Sequence, residues 1–90
     1  MLFMVIERFK DGDAAAVYRR FRAQGRMLPE GLRYVDSWPA ADLTHCFQLM
    51  ECADPRLIEQ WIAHWQDLVE CEIVPVVTSQ AAAEAINAQL

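Results

Sequence analysis

Glycine is scarce in this chain, three residues in ninety, and the three are scattered. No glycine-rich loop is therefore present to cradle a phosphate, and no nucleophile-elbow pattern surrounds a serine. No apolar run approaches the roughly 20 residues that a helix needs to cross a bilayer. The opening MLFMVI is stopped by Glu7 and Arg8 and has no basic segment before it, so neither a secretory signal nor membrane attachment is expected. Cysteine is sparse and odd in number: Cys46, Cys52 and Cys71, without CxxC spacing. A disulfide framework and a closed zinc site are excluded on that ground, and inert, half-buried thiols of a cytoplasmic protein are expected. Only two histidines are available, His45 and His64; no metal site and no cofactor are expected. Basic charge runs out early. Residues 1–33 hold seven basic and four acidic side chains, whereas residues 34–90 hold Arg56 alone against nine acids. The net charge of −5 excludes a general nucleic-acid partner, and the asymmetry suggests pairing of the two regions within or between chains.

What the chain does have is apolar material: 54% hydrophobic residues, with three Trp, four Phe and two Tyr. A domain of this size hides little more than ~60% of its unfolded surface, so some apolar area is expected to meet a second copy. LFMVIER (2–8) is a short, nearly unbroken apolar run and reads as a strand covered on both faces. KDGD (10–13) is a turn that caps a helix over 14–24, where Ala14, Val17, Tyr18 and Phe21 make one stripe and Gly25 ends it. GLRYVDSW (31–38) alternates as a second strand, PAAD (39–42) is a tight connection, and 43–52 is the third strand. Asp54-Pro55 starts a second helix running to about 68, with Leu57, Ile58, Trp61, Ile62, Trp65 and Leu68 inward. Residues 70–78 form a fourth strand that Pro75 places at an edge. Ser79 or Gln80 lies near the cap of an Ala-rich tail helix.

The order β-α-β-β-α-β plus a C-terminal helix predicts an α+β, ferredoxin-like domain over 1–79, with a helical tail over 80–90. Its four-stranded antiparallel sheet carries helices on one face only. Because strands one and four are apolar on both parities, the other face is expected to pair with a second copy, making a dimeric α/β barrel.

The candidate chemistry follows from the hairpin. A turn at Pro39–Asp42 would set Trp38 against Leu43, Asp36 against His45 and Tyr34 against Phe47. Leu32, Tyr34, Asp36 and Trp38 would then share a face with His45, Phe47, Leu49 and Glu51. Asp36 beside His45 would orient and activate an imidazole for acid/base work, with Tyr34 and Glu7 assisting and Trp38 and Phe47 as walls. That arrangement depends on register, since a one-residue slip sends Asp36 and His45 to opposite faces. Trp61 and Trp65, one turn apart, are either core or the aromatic wall of a ligand cavity. Arg19, Arg20, Arg22 and Arg26 gather at the end of the first helix, either as a dipole-stabilised solvated face or as an anion site that Arg33 joins.

MLFMVIERF, GRMLPEGLRYVDSW, CFQLMEC and the stretch from Trp61 and Trp65 through Asp67 to Ser79 together resemble DUF3303, a family of small uncharacterised bacterial proteins grouped with the dimeric α/β barrels. The resemblance covers residues 1–79 and implies a ferredoxin-like protomer and a homodimer, without an activity to carry over. Three readings stay open: a cytoplasmic homodimer binding a small apolar or aromatic molecule, a cofactor-independent monooxygenase or isomerase, and a structural or regulatory interaction protein with no ligand.

Overall fold

The computed structural model describes residues 1–90. Strand β1 (Leu2–Phe9) leads through a 3-10 turn at Lys10–Gly12 to helix α1 (Ala14–Gln24). The hairpin β2 (Arg33–Pro39) and β3 (His45–Glu51) follows, then α2 (Arg56–Ala63), β4 (Val69–Val76) and α3 (Ser79–Asn87). All strand pairs are antiparallel, in the order β2-β3-β1-β4. This is the split β-α-β arrangement the element order predicts, with β1 and β3 central and Pro75 on an edge strand, where its missing N–H costs no ladder bond.

Local chemistry sets the helix ends. Oδ1 of Asp13 accepts from the backbone N–H of Ala16 at 3.1 Å, capping α1. At the other end Gly25 takes φ 69°, a conformation open to a residue without Cβ, and its N–H reaches the carbonyl of Phe21 at 2.7 Å. Asp54 Oδ1 accepts from the N–H of Arg56 at 3.0 Å, and the helix begins at Arg56, one residue after the Pro55 start that the sequence predicts. Helix α2 is shorter than its periodicity suggests. After Ala63 it tightens: the N–H groups of His64, Trp65 and Leu68 bond carbonyls three residues back. That turn still brings Trp65 inward. For α3 the capping group is Thr78, whose Oγ1 accepts from Ala81 N–H at 3.1 Å.

The core lies between the helices and one sheet face. Phe3, Val5 and Phe9 of β1, Met50 of β3 and Val69 of β4 meet Ile58, Trp61 and Trp65, all buried. Each such side chain contributes about 1.5–3 kcal/mol on burial. Helix α3 takes no part in this core: none of its residues is buried, and Ile86 is half exposed. The charge asymmetry is resolved within the chain. Arg8 pairs with Glu70, Arg20 with Asp67 and Arg33 with Glu51, three of four ion pairs joining the basic first third to the acidic remainder. Arg20 is bidentate to Asp67 and also donates to the carbonyl of His64, tying α1 to the end of α2. Its guanidinium holds the Asp67 carboxyl down at about 2.

The hairpin differs from expectation. Its connection is a loop over residues 40–44, in which Leu43 takes φ 60° and Oδ1 of Asp42 accepts from both N–H and Oγ1 of Thr44. Trp38 consequently faces Phe47, Asp36 faces Leu49 and Tyr34 faces Met50, with a bulge at Val35. The bulge changes the parity of the strand. Tyr34 turns to the helix side, whereas Asp36 and Trp38 stay on the outer side.

Candidate functional site

On the helix-facing side of β1, the alternation Phe3, Val5, Glu7, Phe9 places an acid where an apolar residue belongs, and all four are buried. Glu7 is 5% exposed. It sits between Cys46 on β3 and Cys71 on β4. Nε2 of Gln48, one step along the same face of β3, donates to Oε1 of Glu7. The other end of that amide, Gln48 Oε1, is buried and accepts nothing. Leaving such an oxygen unpaired in an apolar setting costs about 1–3 kcal/mol.

Above these groups lies a cavity of about 130 Å³. Glu7, Phe9, Cys46, Gln48 and Cys71 form its floor; Trp61 and Ile62 of α2, with Trp65 of the turn after it, form a wall; Val17, Tyr18 and Phe21 of α1 form its roof. Tyr18 and Phe21 are 46% and 39% exposed because the α1 stripe spans an open space rather than pressing on a filled core. Arg26, just beyond α1, closes one side. Its guanidinium carbon lies 3.6 Å from the Tyr34 ring centroid and 4.9 Å from that of Phe21. Its carbonyl accepts from Nε1 of both Trp61 (2.8 Å) and Trp65 (3.1 Å). One peptide group therefore fixes both indoles. On the β2 side, the hydroxyls of Tyr34 and Ser37 share a 2.6 Å hydrogen bond across the bulge.

Burial pushes the Glu7 carboxyl up to about 7, against the opposing pull of the Gln48 hydrogen bond and the Arg26 charge. Burial, helped by Glu7, also pushes the Cys46 thiol up to about 11 and Cys71 up to about 12. Both remain neutral and unreactive near pH 7. No group of three or more His, Cys, Asp or Glu side chains is placed to hold a metal ion. What remains is a carboxyl that exchanges its proton near neutrality, an unpaired amide oxygen and two anchored aromatic planes.

The residues singled out in the sequence divide between the two faces. Glu7, Trp61 and Trp65 line the cavity, and Tyr34 supports it through Arg26 and Ser37. Asp36, His45, Trp38 and Phe47 lie on the other face of the sheet. The Asp36–His45 pair does not form: Asp36 is opposite Leu49 and accepts from its neighbour's N–H at 2.8 Å. His45 is opposite Arg8, with Nδ1 2.7 Å from Thr44 Oγ1. The longer loop moves the register by four residues, which separates the pair along the hairpin while keeping both on one face. Glu7 and His45 do not converge either, because Glu7 is opposite Cys46 and so points to the helices. Gln48 is a cavity residue that the sequence does not single out, and Arg26, expected in an anion-binding cluster, instead closes one side of the cavity against Phe21 and Tyr34. Gln48 was legible as a polar residue at the parity of Cys46 and Met50, just as Glu7 was at that of Phe3 and Val5.

No curated protein and no solved structure matches this chain. A family model described as a domain of unknown function, DUF3303, matches residues 1–90, the whole length. With the match spanning every element from β1 to α3, the chain belongs to the DUF3303 family.

Proposed function

We propose that this protein binds a small, single-ring molecule in the cavity beneath α1, and that it works as a cytoplasmic homodimer paired through the outer face of its sheet. The observation that carries the binding reading is the cavity's construction: a carboxyl at the floor with a single donor from the protein, and indoles held in place by the Arg26 carbonyl. Such a combination of mostly apolar walls with a few convergent polar atoms is what ligand sites use for affinity and orientation. Its volume, about 130 Å³, is close to that of an engineered protein cavity of roughly 150 Å³ that takes a benzene ring. Thermal unfolding with a panel of phenol, benzamide, benzamidine and benzoate tests this. At least one should raise Tm; ligand at one hundred times its Kd stabilises by about 2.7 kcal/mol. It should also perturb tryptophan fluorescence. Val17→Phe, which fills the space from α1, should abolish the response while the protein stays folded. No response to any ring, or an unchanged one in V17F, would sink the reading.

The homodimer is supported by the outer face. Met4, Ile6, Phe47, Leu49 and Val74 lie there together; Phe47 and Val74 are exposed and the other three half-buried. Trp38 adds a side chain 50% exposed. Two charge pairs on this side, Arg8–Glu70 and Arg33–Glu51, are neutralised within the chain, while Asp36 and Glu72 face the same side without an ion-pair partner. Two copies would therefore meet there without like-charge repulsion at the two paired points. Light scattering should give a mass of two 10.3 kDa chains, and Phe47→Glu should yield the single-chain mass with secondary structure intact. A single-chain mass for the unmodified protein would refute the pairing.

A further inference from the structure

The Glu7 carboxylate is supplied by β1 on the helix-facing side of the sheet and lines the cavity floor, while Oε1 of Gln48, on the neighbouring strand β3, is sealed from the cavity. Only one donor reaches Glu7 from the protein, the Gln48 amide, and no ion pair includes it. The other groups around it offer no substitute. Cys46 and Cys71 present neutral thiols, which are weak donors, and Ser37 is engaged with Tyr34. The Tyr18 phenol on α1 has its own pKa raised by burial and stays neutral. Arg26 is the one cation lining the cavity, and it is occupied by the rings of Phe21 and Tyr34. The floor thus has a carboxyl short of donors, anionic when ionised, in a cavity walled by aromatic rings; one of them, Trp65, already carries the Arg20 guanidinium 5.6 Å from its centroid.

Building on the ring-binding reading, we propose that the cavity selects a flat, cationic nitrogen base of single-ring size, such as an aromatic amidine. Its N–H groups meet Glu7, and its ring lies against Trp61 and Trp65. A cationic N–H donor complements a carboxylate short of donors, and charge-assisted bonds of this kind are roughly twice as strong as neutral ones. Burial, rather than Arg26, governs the acid: the carboxyl stands at about 7 despite the guanidinium's pull. A bound cation would supply the compensation that the protein's own groups do not.

Titration calorimetry on the full chain with benzamidine, benzamide and benzoate separates the possibilities. At pH 8 benzamidine should bind at least tenfold tighter than its neutral isostere benzamide. Its affinity should fall about tenfold for each pH unit below 7, as the ionised fraction of Glu7 falls, while that of benzamide stays level. Glu7→Gln should bring the two affinities together without loss of fold. Benzamide binding as tightly as benzamidine, or a cation preference that survives in E7Q, would overturn the proposal. Benzoate binding tightest would overturn it in favour of Arg26 as the governing charge. Phenol or benzamide binding without benzamidine would end the cation inference and leave the ring-binding reading standing, whereas silence from every ring would end both.

Discussion

Trp61→Ala is expected to remove roughly 3–5 kcal/mol of stability, the usual cost of truncating a buried tryptophan. The indole is 3% exposed and lies in the stripe that also buries Ile58 and Trp65. Domains of this kind are stable by about 5–15 kcal/mol, so the loss is a large share of the whole. Most of it is packing. The hydrogen bond from Nε1 to the Arg26 carbonyl contributes less, because Trp65 donates to the same oxygen and leaves it partly satisfied. Trp61→Phe, which keeps a ring in the core but leaves a smaller void, should cost less, about 1–2 kcal/mol. In urea the midpoint should move down sharply for W61A and by less for W61F, with the slope unchanged in both. An alanine variant within 1 kcal/mol of the parent, on the order of the hydrogen-bond contribution alone, would mean that α2 does not dock on the sheet through this residue.

The elements that the sequence disclosed best are those whose signals are local. The apolar run of β1, the Asp54-Pro55 start of α2 and the edge position implied by Pro75 all depend on side chains a few residues apart. The hairpin register depends on something alternation cannot reveal. A bulge at Val35 and a five-residue connection with Leu43 at positive φ together leave every residue type in GLRYVDSW unchanged while reassigning its partner. Tyr34 moves to the helix side, and Asp36 and His45 part. The site was half legible for the same reason. Glu7, Trp61 and Trp65 announce themselves by position within a strand or helix period. Arg26 sits after the end of α1, where no period applies, and its role comes from a carbonyl that two distant indoles happen to reach. Gln48 carried a signal only in combination with Glu7: two polar residues at core parity on strands that turn out to be neighbours.

That pairing leads to the second large effect. Glu7→Gln is expected to stabilise the protein, increasingly so as pH rises. Below the carboxyl's ordinary value of 4.5, folded and unfolded chains both hold the proton, and burial of the group carries no charge penalty. Between 4.5 and about 7 the unfolded chain releases its proton first, so the parent loses stability as pH increases. Above 7 the loss is complete, on the order of 3 kcal/mol for a displacement of this size. A neutral amide escapes that penalty. It can also donate to Gln48 Oε1 while accepting from Nε2, pairing an oxygen that is otherwise alone. The Tm advantage of E7Q should grow from little at pH 4.5 to something on the order of 10–20 °C at pH 8, for a domain of this length. The exposed carboxylates whose pKa values are lowered, Asp42, Asp54, Asp67 and Glu70, act with the opposite slope, but they are common to both proteins and cancel in the difference. No advantage at pH 8 would mean that Glu7 is hydrated and the cavity wet. An advantage at pH 8 that shrinks when benzamidine is added would have a specific meaning. The parent alone would be gaining stability from the ligand, and the acid that weakens the free protein would be the group that holds its cation.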